Sequence, residues 1–394
     1  MSESLTASRP VPRFGRFSLS ETVSNMLEYG HRRPHGATFP SGSVFPGDSM
    51  SSSPRASQSR RFTTKAGRTL SFTALGFGSA PLGNYLRALP EEECDALLEA
   101  AWLKGLRYYD TAPFYGLGLS EMRVGRQLLK RSRGSYTLSS KVGRLLNPCA
   151  PEEVNGVFFV NTPQVHWDYD YSYDAVMRSY EESLHRLGLD KLDILFVHDV
   201  DAFCHGGREG SERAIRDLID EGGWRALDEL RSGGAISAIG AGVNEWQPCA
   251  RLLELVDPDL FLLAGRYTLL EQDPVDTLFP QCAKRGVGVV IGGPYNSGIL
   301  AGGTTYNYSS APAEVVNRVR DISAVCVRHG VPLAAAALQF VLAHPVVVSV
   351  IPGSQTIAEL EQNIGTLDVP IPREFWSELK DAKLLHPNAP TPKN

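Results

Sequence analysis

The stretch "GFGSAPLG", residues 76–83, closes the first apolar strand pattern of the chain, and its reading separates two architectures. A doubly wound parallel sheet wants a phosphate-binding G-x-G-x-x-G after its first strand. Here Pro81 stands where the third glycine would be. The alternative is a closed barrel, whose first strand needs no such loop.

Working outward, "RFTTKAGRTLSFTALGFG" (61–78) predicts a hairpin turning at "KAGR", followed by the strand that ends at Gly76–Gly78. Beyond it, strand and helix patterns alternate. The strands are "LRYYD", "YTLSSK", "LDILFVH", "AISAIGAG", "LFLLAG", "VGVVIGG" and "VVVSVIPGS". Each has an apolar interior, and most of the intervening helical patterns end in glycine. Strands with no polar face make a parallel sheet covered on both sides. Eight β–α units over about 300 residues predict an α/β fold, a (β/α)8 TIM barrel with an N-terminal β-hairpin.

The chain has 394 residues, 42% hydrophobic and 21% charged, with a formal net charge of -5. This composition fits one large domain at 62–394. Residues 1–61 are rich in Ser, Pro, Gly and Arg and are expected to form a disordered extension. Within them "LSETVSNML" (19–27) is helix-like, and Met50 offers a later start. No basic stripe points to nucleic acid. No apolar run approaches the ~20 residues that span a bilayer. The six cysteines (Cys94, Cys149, Cys204, Cys249, Cys282, Cys326) form no C-x-x-C pair and are expected to be free thiols in the cytoplasm.

In such a barrel, chemistry sits at the C-terminal ends of the strands. The second strand ends in Asp110, with Tyr115 in its loop. The third ends in Lys141 and the fourth in His198. Alone, each has a bland reading: a turn cap, loop packing, a solvated charge, a core imidazole. Together on one rim they form a proton-transfer set. A phenol is a poor base at neutral pH, and a nearby ammonium is expected to lower its pKa. Asp110 would hold the lysine, and His198 would orient a substrate oxygen. No nucleophile–base pair suits acyl transfer, so a hydride would have to pass to or from a cofactor. "HDVDAFCHGG" (198–207) contains His198, Asp199, Asp201, Cys204 and His205, but strand-end geometry is expected to splay them, and no metal is expected.

"DTAPFYG", "SSKVG", "LDILFVHD" and "IPGSQTIAELEQN" resemble the aldo-keto reductase superfamily across residues ~62–380. The resemblance implies Tyr115 as proton acceptor or donor, supported by Lys141, Asp110 and His198. It also implies a nicotinamide dinucleotide across the barrel mouth. Asn244 matches the carboxamide-binding position, with Gly242 where the family has serine. Gly292 aligns with the family's nicotinamide-stacking aromatic. Gly293, Pro294, Asn296, Ser297 and Gly298 match the pyrophosphate loop, with Gly78 at the first strand end. Ile351, Pro352, Gly353, Ser354 and Gln355 match the adenosine clamp, and Gln362 and Asn363 would face adenine. NADP-preferring members carry Lys and Arg where this chain has Gly353 and Glu359, so NAD is favoured over NADP.

Longer strings, among them "SKVGRLL", "LLAGRYTLLEQ" and "VVIGGPYNSGIL", resemble the branch of D-threo-aldose 1-dehydrogenases (L-fucose and L-galactose dehydrogenases) and pyridoxal 4-dehydrogenase. That branch implies oxidation of a cyclic hemiacetal to a lactone. In it Tyr85 and Arg266 sit near strand ends, close to substrate or cofactor. The loop after Lys141, about 143–172, is expected to be long and aromatic, with Trp167 among the rings on which a sugar or pyridine could stack, and Trp246 reads as pocket or core. The alternatives are pyridoxal oxidation, general NADPH-dependent carbonyl reduction, or a non-enzymatic dinucleotide sensor. The expected partner is a small molecule, with the chain a monomer or weak homodimer.

Overall fold

The computed structural model describes residues 55–393. The expected disorder of residues 1–54, with the helix-like 19–27 and Met50, lies outside them. Residues 55–61, expected to belong to the extension, are structured instead. Ala56 is fully buried, and Arg60 donates to the carbonyls of Val347 and Leu342.

Two antiparallel strands, β1 (Ser59–Thr63) and β2 (Thr69–Thr73), form the predicted hairpin. Its turn contains Gly67 at φ +73°, a left-handed conformation that suits glycine. The parallel strands are β3 (Phe77–Gly78), β4 (Tyr108–Asp110), β5 (Thr137–Val142), β8 (Ile194–His198), β9 (Ala238–Val243), β10 (Leu260–Ala264), β11 (Gly288–Gly292) and β14 (Val347–Ile351). Their order is β14-β11-β10-β9-β8-β5-β4-β3. Bridges Leu75↔Val350 and Gly78↔Gly353 join the two ends, so the sheet closes into a (β/α)8 barrel. Gly78 serves this closure, since a Cβ there would lie 2.8 Å from the Ile351 carbonyl oxygen.

The helices are α1 (Glu91–Leu103), α2 (Leu119–Leu128), α3 (Tyr173–Leu187), α4 (Arg208–Asp220), α5 (Gly223–Ser232), α6 (Gln247–Leu255), α7 (Leu278–Arg285), α8 (Ala313–His329), α9 (Leu333–Leu342), α10 (Ile357–Asp368) and α11 (Arg373–Asp381). Helices α4, α9 and α11 were not expected. The second is almost wholly apolar and shows no amphipathic stripe, whereas the first buries Ser211, Ala214, Ile215 and Leu218 at helical spacing, a stripe hidden by its small and polar members. Among the described residues, no single helix is long and apolar enough to cross a membrane. All six cysteines are unpaired.

Two apolar layers result. One lies between strands and helices. The other fills the barrel, where Leu70 and Phe72 of β2 meet Tyr108, Phe196, Leu262 and Val290. The hairpin therefore plugs the N-terminal end of the barrel, which leaves the opposite mouth for chemistry. The loop after Lys141, expected to be long and aromatic, contains a second hairpin, β6 (Arg144–Pro148) with β7 (Val165–Tyr169). A short third, β12 (Thr305–Tyr306) with β13 (Ser309–Ser310), follows β11.

Candidate active site

Strand ends bring Asp110, Lys141 and His198 together, and the turn after β4 adds Tyr115. The Lys141 Nζ donates to Asp110 Oδ2 at 2.7 Å and to the Thr111 carbonyl at 2.9 Å. Ser139 Oγ donates to Asp110 Oδ1 at 2.7 Å. The same ammonium lies 4.5 Å from the centroid of the Tyr115 ring, and the Tyr115 and His198 rings meet edge-on at 5.9 Å. Tyr115 holds its place because Gly116 packs onto Gly83, where a Cβ on either would sit 2.5 Å from the other's backbone.

The electrostatics differ from expectation. Burial, then the carboxylates of Asp110 and Asp199, push the Tyr115 phenol well above its ordinary pKa. Lys141 is not among the groups that lower it, contrary to expectation; its ammonium is bonded to Asp110 and Thr111. Burial also pushes the Asp110 carboxyl up, against the pull of Lys141. His198 is lowered to about 3 by burial, so the imidazole is neutral. The resting site holds a protonated phenol and a neutral imidazole beside a buried ion pair.

Sequence reasoning missed Arg144 and gave Asp199 no role beyond the rejected metal reading. Arg144 Nη2 donates to Asp199 Oδ2 at 2.6 Å, and both residues are buried. The guanidinium lies over the rings of Phe114, Trp167 and Tyr169 at 4.0, 4.3 and 4.6 Å. Both residues adjoin the predicted set in sequence, Arg144 three positions after Lys141 and Asp199 directly after His198. That adjacency was the available signal.

The expected splaying of the 198–207 segment is corrected by the structure. Asp199 turns at φ +55°, and donor atoms of Asp199, Asp201 and Cys204 come within 4.8 Å of one another. Their common neighbour is the Asn244 amide. Its Nδ2 lies 3.1 Å from Asp199 Oδ1, 3.2 Å from Asp201 Oδ2 and 3.8 Å from Cys204 Sγ. This leaves Asn244 Oδ1 to accept from the Tyr308 hydroxyl at 3.3 Å. Gly242 is small for a local reason, since a Cβ there would lie 3.3 Å from Lys141 Cε.

The expected cofactor residues line the same mouth. Gly292 ends β11 without a side chain, and Gly293 follows at φ +52°. Pro294 leads into a turn whose Asn296, Ser297 and Gly298 all have positive φ, and such runs aim backbone N–H groups at anions. Asn296 is also structural, accepting from Thr268 Oγ1 at 2.5 Å and donating to the Gly265 carbonyl at 2.9 Å. After Ile351 and Pro352 come Gly353 and Ser354, then α10, capped by Thr356. A Cβ at Gly353 would meet the Pro81 ring at 2.7 Å, so no lysine fits there. The Glu359 carboxylate accepts from the Gln355 N–H at 2.7 Å, which places a negative group at this helix start. Gln362 is exposed. Asn363 is buried between Tyr295 and Ser354, tying the β11 loop to α10. A left-handed turn after β11 and a helix N-terminus after its neighbour β14 fit the phosphates of a dinucleotide.

The looser assignments divide. Tyr85 packs on Phe158 and Phe159, and Phe159 packs on Tyr115. Trp167 packs edge-on to Phe114 and beneath Arg144. Trp246 instead packs against the outer core, and Arg266 donates to the carbonyl of Gly265. Tyr308, from the β12–β13 hairpin, stacks on Phe158 and supplies an aromatic ring where β11 has none.

The Aldo/keto reductase family model matches residues 74–383, and the chain belongs to that family. It is 41% identical over 333 residues to pyridoxal 4-dehydrogenase of Microbacterium luteolum, covering 81% of this chain and 96% of that protein. It is 40% identical over 336 residues to D-threo-aldose 1-dehydrogenase of Pseudomonas sp, covering 83% and 98%. Among solved structures, the holo form of aldo-keto reductase AKR11C1 from Bacillus halodurans aligns with a TM-score of 0.63 at 25% identity, covering 84% of this chain and 97% of that one. The protein is an oxidoreductase of the kind that uses a nicotinamide cofactor and small-molecule substrates.

Proposed function

We propose that this chain oxidises the anomeric hydroxyl of a cyclic hemiacetal sugar, a D-threo-aldose such as L-fucose or L-galactose, to its lactone, with NAD as cofactor. The observation that carries the reading is the convergence of Tyr115, Lys141, Asp110 and His198 at one mouth. The likeness to a D-threo-aldose 1-dehydrogenase supports the substrate class.

The substrate hydroxyl is placed between the Tyr115 phenol and the His198 imidazole. His198, neutral, donates a hydrogen bond that orients the reacting oxygen. Tyr115 exchanges the proton, and Lys141 stabilises negative charge on the phenol oxygen when it forms. A nicotinamide dinucleotide would be held by the turn at Gly293–Gly298 and the segment Ile351–Gln355 and, when bound in oxidised form, would supply the hydride acceptor. Glu359 at the α10 start and the Gly353–Pro81 contact disfavour a 2′-phosphate, which supports NAD.

Pyridoxal is a second reading, favoured by the aromatic walls of Phe114, Phe158, Trp167 and Tyr308 and by the relative named pyridoxal 4-dehydrogenase. A panel of aldoses and pyridoxal, each with NAD and NADP and followed by nicotinamide absorbance, tests both. Aldose turnover with NAD, abolished by Tyr115→Phe, is the expected outcome. Turnover of pyridoxal alone selects the second reading. A flat trace with every hemiacetal alongside tight NADH binding would leave a dinucleotide sensor.

A further inference from the structure

The mouth contains two buried ion pairs, and the reaction as described uses only Lys141–Asp110. We propose that Asp199 is a positioning residue that fixes the tautomer of His198, with Arg144 as its permanent counter-ion. This rests on the proposed role of His198 in the oxidoreductase reaction.

The Asp199 Oδ2 atom is shared. It lies 2.6 Å from Arg144 Nη2 and 3.3 Å from His198 Nε2. The contact lacks the alignment of a hydrogen bond, so the selection is electrostatic: a negative charge beside Nε2 favours a hydrogen over a lone pair on that nitrogen. The other nitrogen, Nδ1, is buried without a partner and is left as the bare acceptor. Of the two neutral tautomers, the carboxylate therefore selects Nε2–H. That form can donate to a substrate oxygen from the nitrogen nearest Asp199. The opposite tautomer would turn a lone pair toward both the carboxylate and the substrate oxygen.

The surrounding structure holds this carboxylate in place. Asp199 adopts φ +55° while its N–H bonds to the Gly242 carbonyl at 2.9 Å. Its second oxygen accepts from Asn244. The Tyr171 hydroxyl donates to the carbonyl of His198 at 2.9 Å and lies 3.0 Å from His205 Nε2. Arg144 keeps the pair neutral without leaving the aromatic cage. Its Nε is buried and unpartnered, so hydrogen bonding alone does not account for its burial.

The charged and titratable groups around His198 come from several elements. Lys141 comes from β5 and Arg144 from β6. Tyr115 lies in the turn after β4, and Tyr169 and Tyr171 lie at and after the end of β7. Asp199, Asp201, Cys204 and His205 follow β8. Among them, Asp199 raises the imidazole's proton affinity, and Lys141 and Arg144 lower it. Removing the arginine should unmask the carboxylate.

The test uses the whole chain labelled with 15N-histidine and no substrate, so it does not depend on the sugar assignment. His198→Gln identifies the resonance. The wild type is expected to show the Nε2–H tautomer alone between about pH 5 and 9, the range in which an ordinary histidine would titrate. Asp199→Asn should give mixed tautomers. Arg144→Gln should raise the proton affinity of His198 by about tenfold or more, since a carboxylate this close favours the cation. In turnover, Asp199→Asn should lower kcat about tenfold or more, the size of effect that a charge this close exerts. A wild-type Nδ1–H tautomer overturns the proposal, and it needs no variant to fold. So does an Asp199→Asn spectrum identical to the wild type in a protein with native circular dichroism. If the spectra behave as expected and no hemiacetal turns over, the positioning stands and the substrate reading fails.

Discussion

At the scale of single residues, the phenol of Tyr115 is the group whose state decides direction. Burial and two carboxylates raise its pKa, so at neutral pH it holds its proton. Reduction can draw on that proton directly, whereas oxidation must find it a place to go. The oxidative kcat should therefore climb with pH from about 7 to 10, toward the ordinary phenol range, while the reductive kcat stays level or falls. Tyr115→Phe should cost about 10²–10⁴ in kcat in both directions, the span of a positioned general acid or base. Stopped-flow rates at a series of pH values check both statements. An oxidative rate indifferent to pH would show that the phenol is not the titrating group.

At the scale of elements, the hairpin formed by β1 and β2 has a mechanical role. Its alternating pattern sends Leu70 and Phe72 into the barrel, where Phe72 packs edge-on against Tyr108 at 4.8 Å. Tyr108 in turn lies two residues before Asp110 and shares Ser139 with it. Removing the ring should open a cavity under the catalytic layer. Phe72→Ala is expected to lower stability by about 3–5 kcal/mol. Urea denaturation measures it, and a loss under about 1 kcal/mol would mean that the hairpin is not part of the core.

At the scale of the whole molecule, buried neutral histidines couple folding to acid. His198 is held near 3 and His344 near 4, both by burial. Their folded values lie below the unfolded value of about 6.5, so the unfolded chain binds more protons between those limits. Stability is then fully present above about pH 6.5 and is lost as pH falls toward 3. His198→Gln should flatten this acid slope by up to about 1.4 kcal/mol per pH unit. Denaturation of wild type and variant at pH steps between those limits reads the difference directly. Parallel curves would show that the imidazole is not buried in its neutral form.

The barrel and most of the site were legible in the sequence because both depend on local pattern. Eight unbroken apolar strands exclude a sheet with one wet face, and Pro81 removed the glycine-loop alternative. Asp110, Lys141 and His198 could be read as neighbours because strand ends of a closed barrel share a rim. The start of the folded region was misplaced, since residues 55–61 are held by partners such as Val347 and Asp368, which are far along the chain. The pairing of Arg144 with Asp199 and the arrival of Tyr308 at Asn244 were likewise invisible, because each joins loops more than fifty residues apart. Sequence alone determined which groups the strand ends carry to the mouth, since the strand period dictates where they fall. Tertiary structure decided their charge states, because burial and the second ion pair come from packing between segments that no local pattern links.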